Sequence, residues 1–196
     1  MNKFLGVLLF FLFASAQAAL IDRGEGFIYD DVLDVTWAQN ANINDLMDWS
    51  TAVAWADGYS QTHSVYGTFD DWRLADMDVN GDDTIVNCSS ASEALCRDNE
   101  LGYLFYQNGI TSSAPGLFTN VQSGYYWSGT EYAPFTGGAW IVVFSDGDQG
   151  SVSKDGNYYA LAVRSGDVAA VPVPAAVWLF GSALAGLGWM RRRKTV

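Results

Sequence analysis

Twenty residues close to the C-terminus, 171–190, carry no charge, and Arg191, Arg192, Arg193 and Lys194 follow at once. At 1.5 Å of rise per residue, a helix over this run reaches about 30 Å, the thickness of a bilayer's hydrocarbon core. Clustered cations stay on the cytoplasmic side, so the pattern reads as a basic stop signal with everything before it outside. Pro172 and Pro174 stand at the outer edge of the run. They set the start of the expected transmembrane helix near Ala175, giving a span of 175–190.

The other end agrees. Lys3 precedes an unbroken apolar run over 4–13, and Ala16-Gln17-Ala18 supplies small residues around a cleavage point. This is the pattern of a secretory signal peptide, cut after Ala18 and too short to span a bilayer. Three segments follow: a signal peptide over 1–18, one domain over 19–168, and a membrane-directed tail over 169–196.

The tail also resembles a sorting signal. Val171, Pro172, Val173, Pro174 and Ala175, then an apolar helix, then a basic cluster, are similar to the VPLPA-CTERM variant of the PEP-CTERM signals. Val173 stands where the motif has Leu. The resemblance implies a Gram-negative bacterium and an exosortase-type processing protease as partner. It further implies an inner-membrane intermediate, then delivery to the cell surface or extracellular matrix.

The domain holds all 22 carboxylates of the chain against five cations, Arg23, Arg73, Arg97, Lys154 and Arg164, a formal net charge of −17. Such a charge repels phosphate backbones and anionic lipid surfaces, so no nucleic-acid partner is expected. It favours divalent cations. Six Trp and ten Tyr fall in the same segment, too much apolar surface for a disordered chain. Cys88 and Cys96 are the only cysteines. An exported location permits a disulfide between them, and closing so short a loop contributes about 2.5 kcal/mol in the chain-entropy model. Two free thiols are the alternative.

Local patterns predict an α+β layout. Residues 20–37 read as short strands interrupted by Gly24, Gly26 and Asp pairs. Asp48 caps a helix whose Trp49, Ala52, Val53 and Ala56 form one apolar stripe, with Gly58 as the stop. Trp55 lies off that stripe. A Gly- and Asp-rich irregular stretch runs from Gly67 to Ser92. A second helix starts near Asn99, with Leu101, Leu104 and Phe105 on one face. Strands are then expected at 125–127, at 139–144 as a central one, and at 158–163 as the last, paired across an Asp155-Gly156 turn.

Several segments together resemble one family. They are residues 33–42, 49–56, 71–74 (Asp-Trp-Arg-Leu), 99–105, 126–130 (Tyr-Trp-Ser-Gly-Thr) and 162–166. They are similar to the Lcl C-terminal domain family of exported bacterial proteins, over about residues 29–167. Ala75 stands where most relatives have Pro. The resemblance implies a compact C-type lectin-like domain with two helices and a mainly antiparallel sheet. Trp127, Trp140 and Arg164 also resemble a pattern in the formylglycine-generating sulfatase-modifying enzymes, which share that general fold. The adhesin that names the family implies glycan binding, sulfated glycans included. A charge of −17 opposes a sulfated ligand.

The sharpest local feature is the alternation Asp76, Asp78, Asn80, Asp82 and Thr84, which offers hard oxygens of the kind calcium takes. Two registers compete. One starts at Asp76 with Gly81 at the sixth position; the other starts at Asp78 with Ile85 at the eighth. Both lack the closing carboxylate, and a solvated acidic turn is the plainer reading. Tyr125, Tyr126, Tyr132 and Trp140 are candidates to stack on sugar rings. Arg73 and Arg164 read as structural ion-pair partners. His63 is the one histidine, and no G-x-S-x-G elbow occurs, so catalysis finds little support. The expectation is a non-catalytic, surface- or matrix-targeted binding or structural module, for glycan or exopolysaccharide. The alternative is an uncharacterised enzyme on a lectin-like scaffold.

Overall fold

The computed structural model describes residues 20–169. The expected signal peptide with its cleavage at Ala18, the expected sorting motif and helix over 175–190, and the basic cluster lie outside the described residues. Among the described residues no helix is long and apolar enough to cross a membrane.

The expected opening strands form a meander. β1 (Leu20–Gly24), β2 (Phe27–Asp30) and β3 (Val35–Ala38) pair antiparallel in order. The β1–β2 turn takes positive φ at Gly24, Glu25 and Gly26. Glu25 has a side chain to strain there, and Ser64 offsets the cost by donating both its N–H and its hydroxyl to the Glu25 carboxylate. In the β2–β3 turn, buried Asp30 accepts from the N–H groups of Val32 and Leu33.

Asp48 caps α1 (Trp49–Asp57) as expected, its carboxylate accepting from Thr51 N at 2.8 Å. That bond holds the Asp48 carboxyl below its usual range. The apolar stripe is narrower than its spacing suggests: Ala52 and Ala56 are fully buried, whereas Val53 is exposed. Trp55 packs into two neighbouring apolar clusters at once. A small hairpin follows, β4 (Gln61–His63) with β5 (Gly67–Phe69), then β6 (Arg73–Leu74).

Among the described residues three helices form, not two. The added one is α2 (Glu93–Cys96), a single turn capped by Ser92 and too short to leave a periodic signature. α3 (Glu100–Tyr106) starts from the Asn99 cap, with Leu101 and Leu104 buried. The disulfide Cys88–Cys96 joins the end of the irregular stretch to α2, with the Cα atoms 5.1 Å apart.

β7 (Tyr125–Glu131), β8 (Gly138–Val143) and β9 (Gln149–Ser153) form a second antiparallel meander. β8 is interior, as expected. The expected single strand over 158–163 is corrected. It divides at Leu161 into β10 (Tyr159–Ala160), parallel to β7, and β11 (Ala162–Ser165), antiparallel to β3 and β6. The partner of β8 across from β7 is β9, so the Asp155-Gly156 turn does not close a hairpin onto the last strand. The sheet orders are β1-β2-β3-β11-β6 and β10-β7-β8-β9. The main core lies between them: Ile28, Trp37 and Val163 meet Tyr126, Val142 and Phe144, with Leu101 and Leu104 of α3 alongside.

Candidate functional site

The acidic loop leaves β6 and is pinned at once. Arg73 donates from Nη1 and Nη2 to the two carboxylate oxygens of Glu100, both at 2.7 Å. The Glu100 side chain is 3% exposed and that of Arg73 39%. Asp76 N donates to the same carboxylate at 2.6 Å, and Glu100 N donates back to Asp76 O. This bidentate clamp ties β6, α3 and the head of the loop together. Thr130 on β7 holds the other side: its hydroxyl donates to the Asp76 carboxylate and accepts from Met77 N at 2.8 Å.

Beyond that point the loop bonds to itself. Asp78 accepts from the N–H groups of Gly81, Asp82 and Asp83, and Asn80 Oδ1 accepts from Asp82 N. Thr84 N donates to Asp82, and Asn80 N donates to Asp98 Oδ1. Of the five expected calcium ligands, the loop therefore turns Asp76 away, toward Thr130. Carboxylate oxygens of Asp78, Asp82 and Asp98 come within 4.8 Å of one another. Asp98 comes from the segment joining α2 to α3, which no loop register in the sequence includes. Three carboxylates are fewer ligands than the roughly six to eight oxygens calcium takes.

Two clefts open beside this loop and β7, and a third adjoins them at α1. The first, about 320 Å³, is lined by Tyr132 and Trp140 together with Asp78, Asp83 and Thr84. The two rings meet edge to face, 5.5 Å between centroids. The second, about 420 Å³, runs along α1 at Trp49, Val53, Ala54 and Asp57, facing Arg73, Asp76 and Gly129. The third, about 420 Å³, is formed by Asp48, Trp49, Ser50, Lys154, Asp155 and Asn157. Trp49 is fixed between them: its indole N–H donates to Ser128 O at 2.8 Å, and Lys154 Nζ lies 4.1 Å from the ring centroid. Lys154 also pairs with Glu131 at 2.6 Å.

Every cation of the described residues has a carboxylate partner. Arg23 pairs with Asp167, Arg73 with Glu100, Arg97 with Glu93, Lys154 with Glu131 and Arg164 with Asp71. The bonds from Arg164 hold the Asp71 carboxyl below its usual range.

A comparison with protein families bears on this arrangement. The model of the Lcl C-terminal domain matches residues 26–164. The chain belongs to the Lcl C-terminal domain family. No curated protein matches it. In this Lcl C-terminal domain the Asp-Trp-Arg-Leu segment is structural. Trp72 is buried with its indole N–H on Phe69 O, Arg73 clamps Glu100, and Asp71 holds Arg164.

The aromatic candidates separate. Tyr132 and Trp140 meet in the first cleft. Tyr125 is exposed but turns its ring to Tyr158, 5.0 Å away, and lines none of the three clefts. Tyr126 is corrected to a core residue. It is fully buried, its hydroxyl accepts from Gln122 N, and burial pushes its phenol up to about 12. His63 is a strut under the β4–β5 hairpin: Nε2 faces Arg23 O at 3.0 Å, and Nδ1 accepts from Val65 N at 3.1 Å. Sequence reasoning missed Trp49, Glu131 and Lys154 as cleft residues. Trp49 lies on an apolar stripe and reads as core; the other two have no local signal, because the end of β7 pairs with the turn after β9, 23 positions away.

Proposed function

We propose that this chain is an exported, non-catalytic binding module, targeted to the cell surface or matrix, that holds neutral glycan or exopolysaccharide in the cleft of Tyr132 and Trp140. One observation carries the reading: a part-exposed aromatic pair faces carboxylate acceptors, while each domain cation is engaged by its own carboxylate. Ring faces suit the C–H faces of sugars, and carboxylates accept from sugar hydroxyls. A sulfated chain would find no free cation and a net charge of like sign.

Export rests on the signal-like N-terminus and on the stop sequence at the other end. The disulfide fits the oxidising compartment such a route reaches. An exosortase-type protease is the processing partner, and the membrane helix is a transient handle. A C-type lectin-like architecture agrees with first and last strands sharing one sheet around a long loop region.

Affinity electrophoresis of the full chain through neutral galactomannan, β-glucan and dextran, beside heparin, tests the binding. Retardation by a neutral polymer is expected, reduced about three- to tenfold by Trp140→Ala. Millimolar calcium and a chelator, in parallel lanes, test the expectation for the acidic loop. Retardation by heparin alone refutes the reading. Localisation is checked by the mass of the C-terminus in cells with and without the processing protease.

A further inference from the structure

We infer that the Tyr132–Trp140 cleft is one part of a continuous groove that takes an internal stretch of a linear neutral polysaccharide lengthwise. The inference rests on the binding reading above and adds the form of the ligand. The last three residues of β7 and Tyr132, which follows them, place the clefts side by side. Gly129 lines the α1 cleft, and Thr130, Glu131 and Tyr132 line the aromatic one. Three steps along a strand separate Gly129 from Tyr132 by about 10 Å, so the clefts abut. Trp49 and Ser50 belong to both the α1 cleft and the Lys154 cleft. The Lys154–Glu131 pair then joins the Lys154 cleft back to the aromatic one. The three are thus parts of one continuous surface.

The chemistry of that surface selects the occupant. Its polar rim is mainly carboxylate: Asp78, Asp83 and Asp57 in the first two clefts, Asp155 in the third. Its two cations, Arg73 and Lys154, are already paired. A polymer of hydroxyl donors meets acceptors along the whole path, whereas a polyanion meets like charge. A basic peptide is the rival occupant. The aromatic seat for its cations is the face of Trp49, and Lys154 of this chain fills it. Trp49 is held by its bond to Ser128 O, so a stiff platform exists before ligand arrives.

Calorimetric titration of the full chain in detergent tests this, with trisaccharide and octasaccharide fragments of the neutral polymer that gives the strongest retardation. The octasaccharide is expected to bind about tenfold or more tightly than the trisaccharide. Ala54→Arg fills the α1 cleft from an exposed helix position. It should bring the octasaccharide down toward the trisaccharide value while the melting temperature stays that of the parent. Equal affinity for both fragments, each weakened by Trp140→Ala, sinks the lengthwise groove and leaves the binding module standing. No binding of either fragment or of any polymer in the panel sinks both. Displacement of octasaccharide by oligolysine at low concentration, relieved by salt, reassigns the groove to a basic peptide and overturns the inference.

Discussion

Replacing Glu100 by Ala should be among the most damaging single changes on this surface. Glu100 accepts two hydrogen bonds from Arg73 and one from Asp76 N. Removing it strands a guanidinium and a backbone donor together. Breaking one side of a buried ion pair costs about 3–5 kcal/mol. Arg73 keeps 39% of its side chain in water, so its rehydration recovers part of that. The expected loss is about 2–4 kcal/mol. Glu100→Gln retains the shape and one acceptor oxygen, and should cost about 1–2 kcal/mol. Urea unfolding followed by tryptophan fluorescence measures both, with the midpoint falling and the slope unchanged. Asp76 lines the α1 cleft and begins the loop that walls the aromatic one, so ligand affinity should fall alongside stability. A loss below about 1 kcal/mol for the Ala variant would refute the clamp. So would equal losses for Ala and Gln, because the shape and acceptor that Gln retains would then contribute nothing.

Two further predictions follow from the frame of the domain. Converting Cys88 and Cys96 to Ser should lower stability by about 2.5 kcal/mol, read as a lower melting temperature that reductant no longer changes. A parent protein indifferent to reductant would count against it. Burial raises the carboxyl of Asp30 above its ordinary 3.8. The folded state therefore binds this proton more tightly than the unfolded chain does, and the charged form is a penalty above the folded value. That penalty shrinks as pH falls through the raised value and is gone below 3.8. Asp30→Asn keeps an acceptor for Val32 and Leu33. It should melt higher than the parent at neutral pH, with the advantage vanishing in acid; an advantage constant with pH would contradict the assignment.

What the sequence discloses is what local chemistry decides. α1 is legible because Asp48 has a backbone N–H to accept and an apolar stripe follows; α3 is legible from Asn99 for the same reason. The cysteine pair is legible because Cys88 and Cys96 are the only two cysteines and stand eight positions apart. β9 is not: Gln-Gly-Ser-Val-Ser has little strand propensity, and its order comes from pairing with β8. The division at Leu161 is hidden because Tyr-Ala-Leu-Ala-Val is apolar throughout, and an unbroken apolar run does not say which sheet each residue joins. Tyr126 looked available because period-two alternation fails in a strand buried on both sides. The clefts are the least legible part. Their defining contacts, Arg73 with Glu100, Glu131 with Lys154 and Trp49 with Ser128, join residues between 23 and 79 positions apart.

The placement of β11 bears on biogenesis. This last strand is not an edge; it lies between β3 and β6. Until it arrives, the two strands flanking its slot have no common neighbour, and the five-stranded sheet is open through its middle. The polypeptide must therefore be available as far as residue 165 before this seam can zip. Closure of the five-stranded sheet is thus held back to the end of the domain by topology alone.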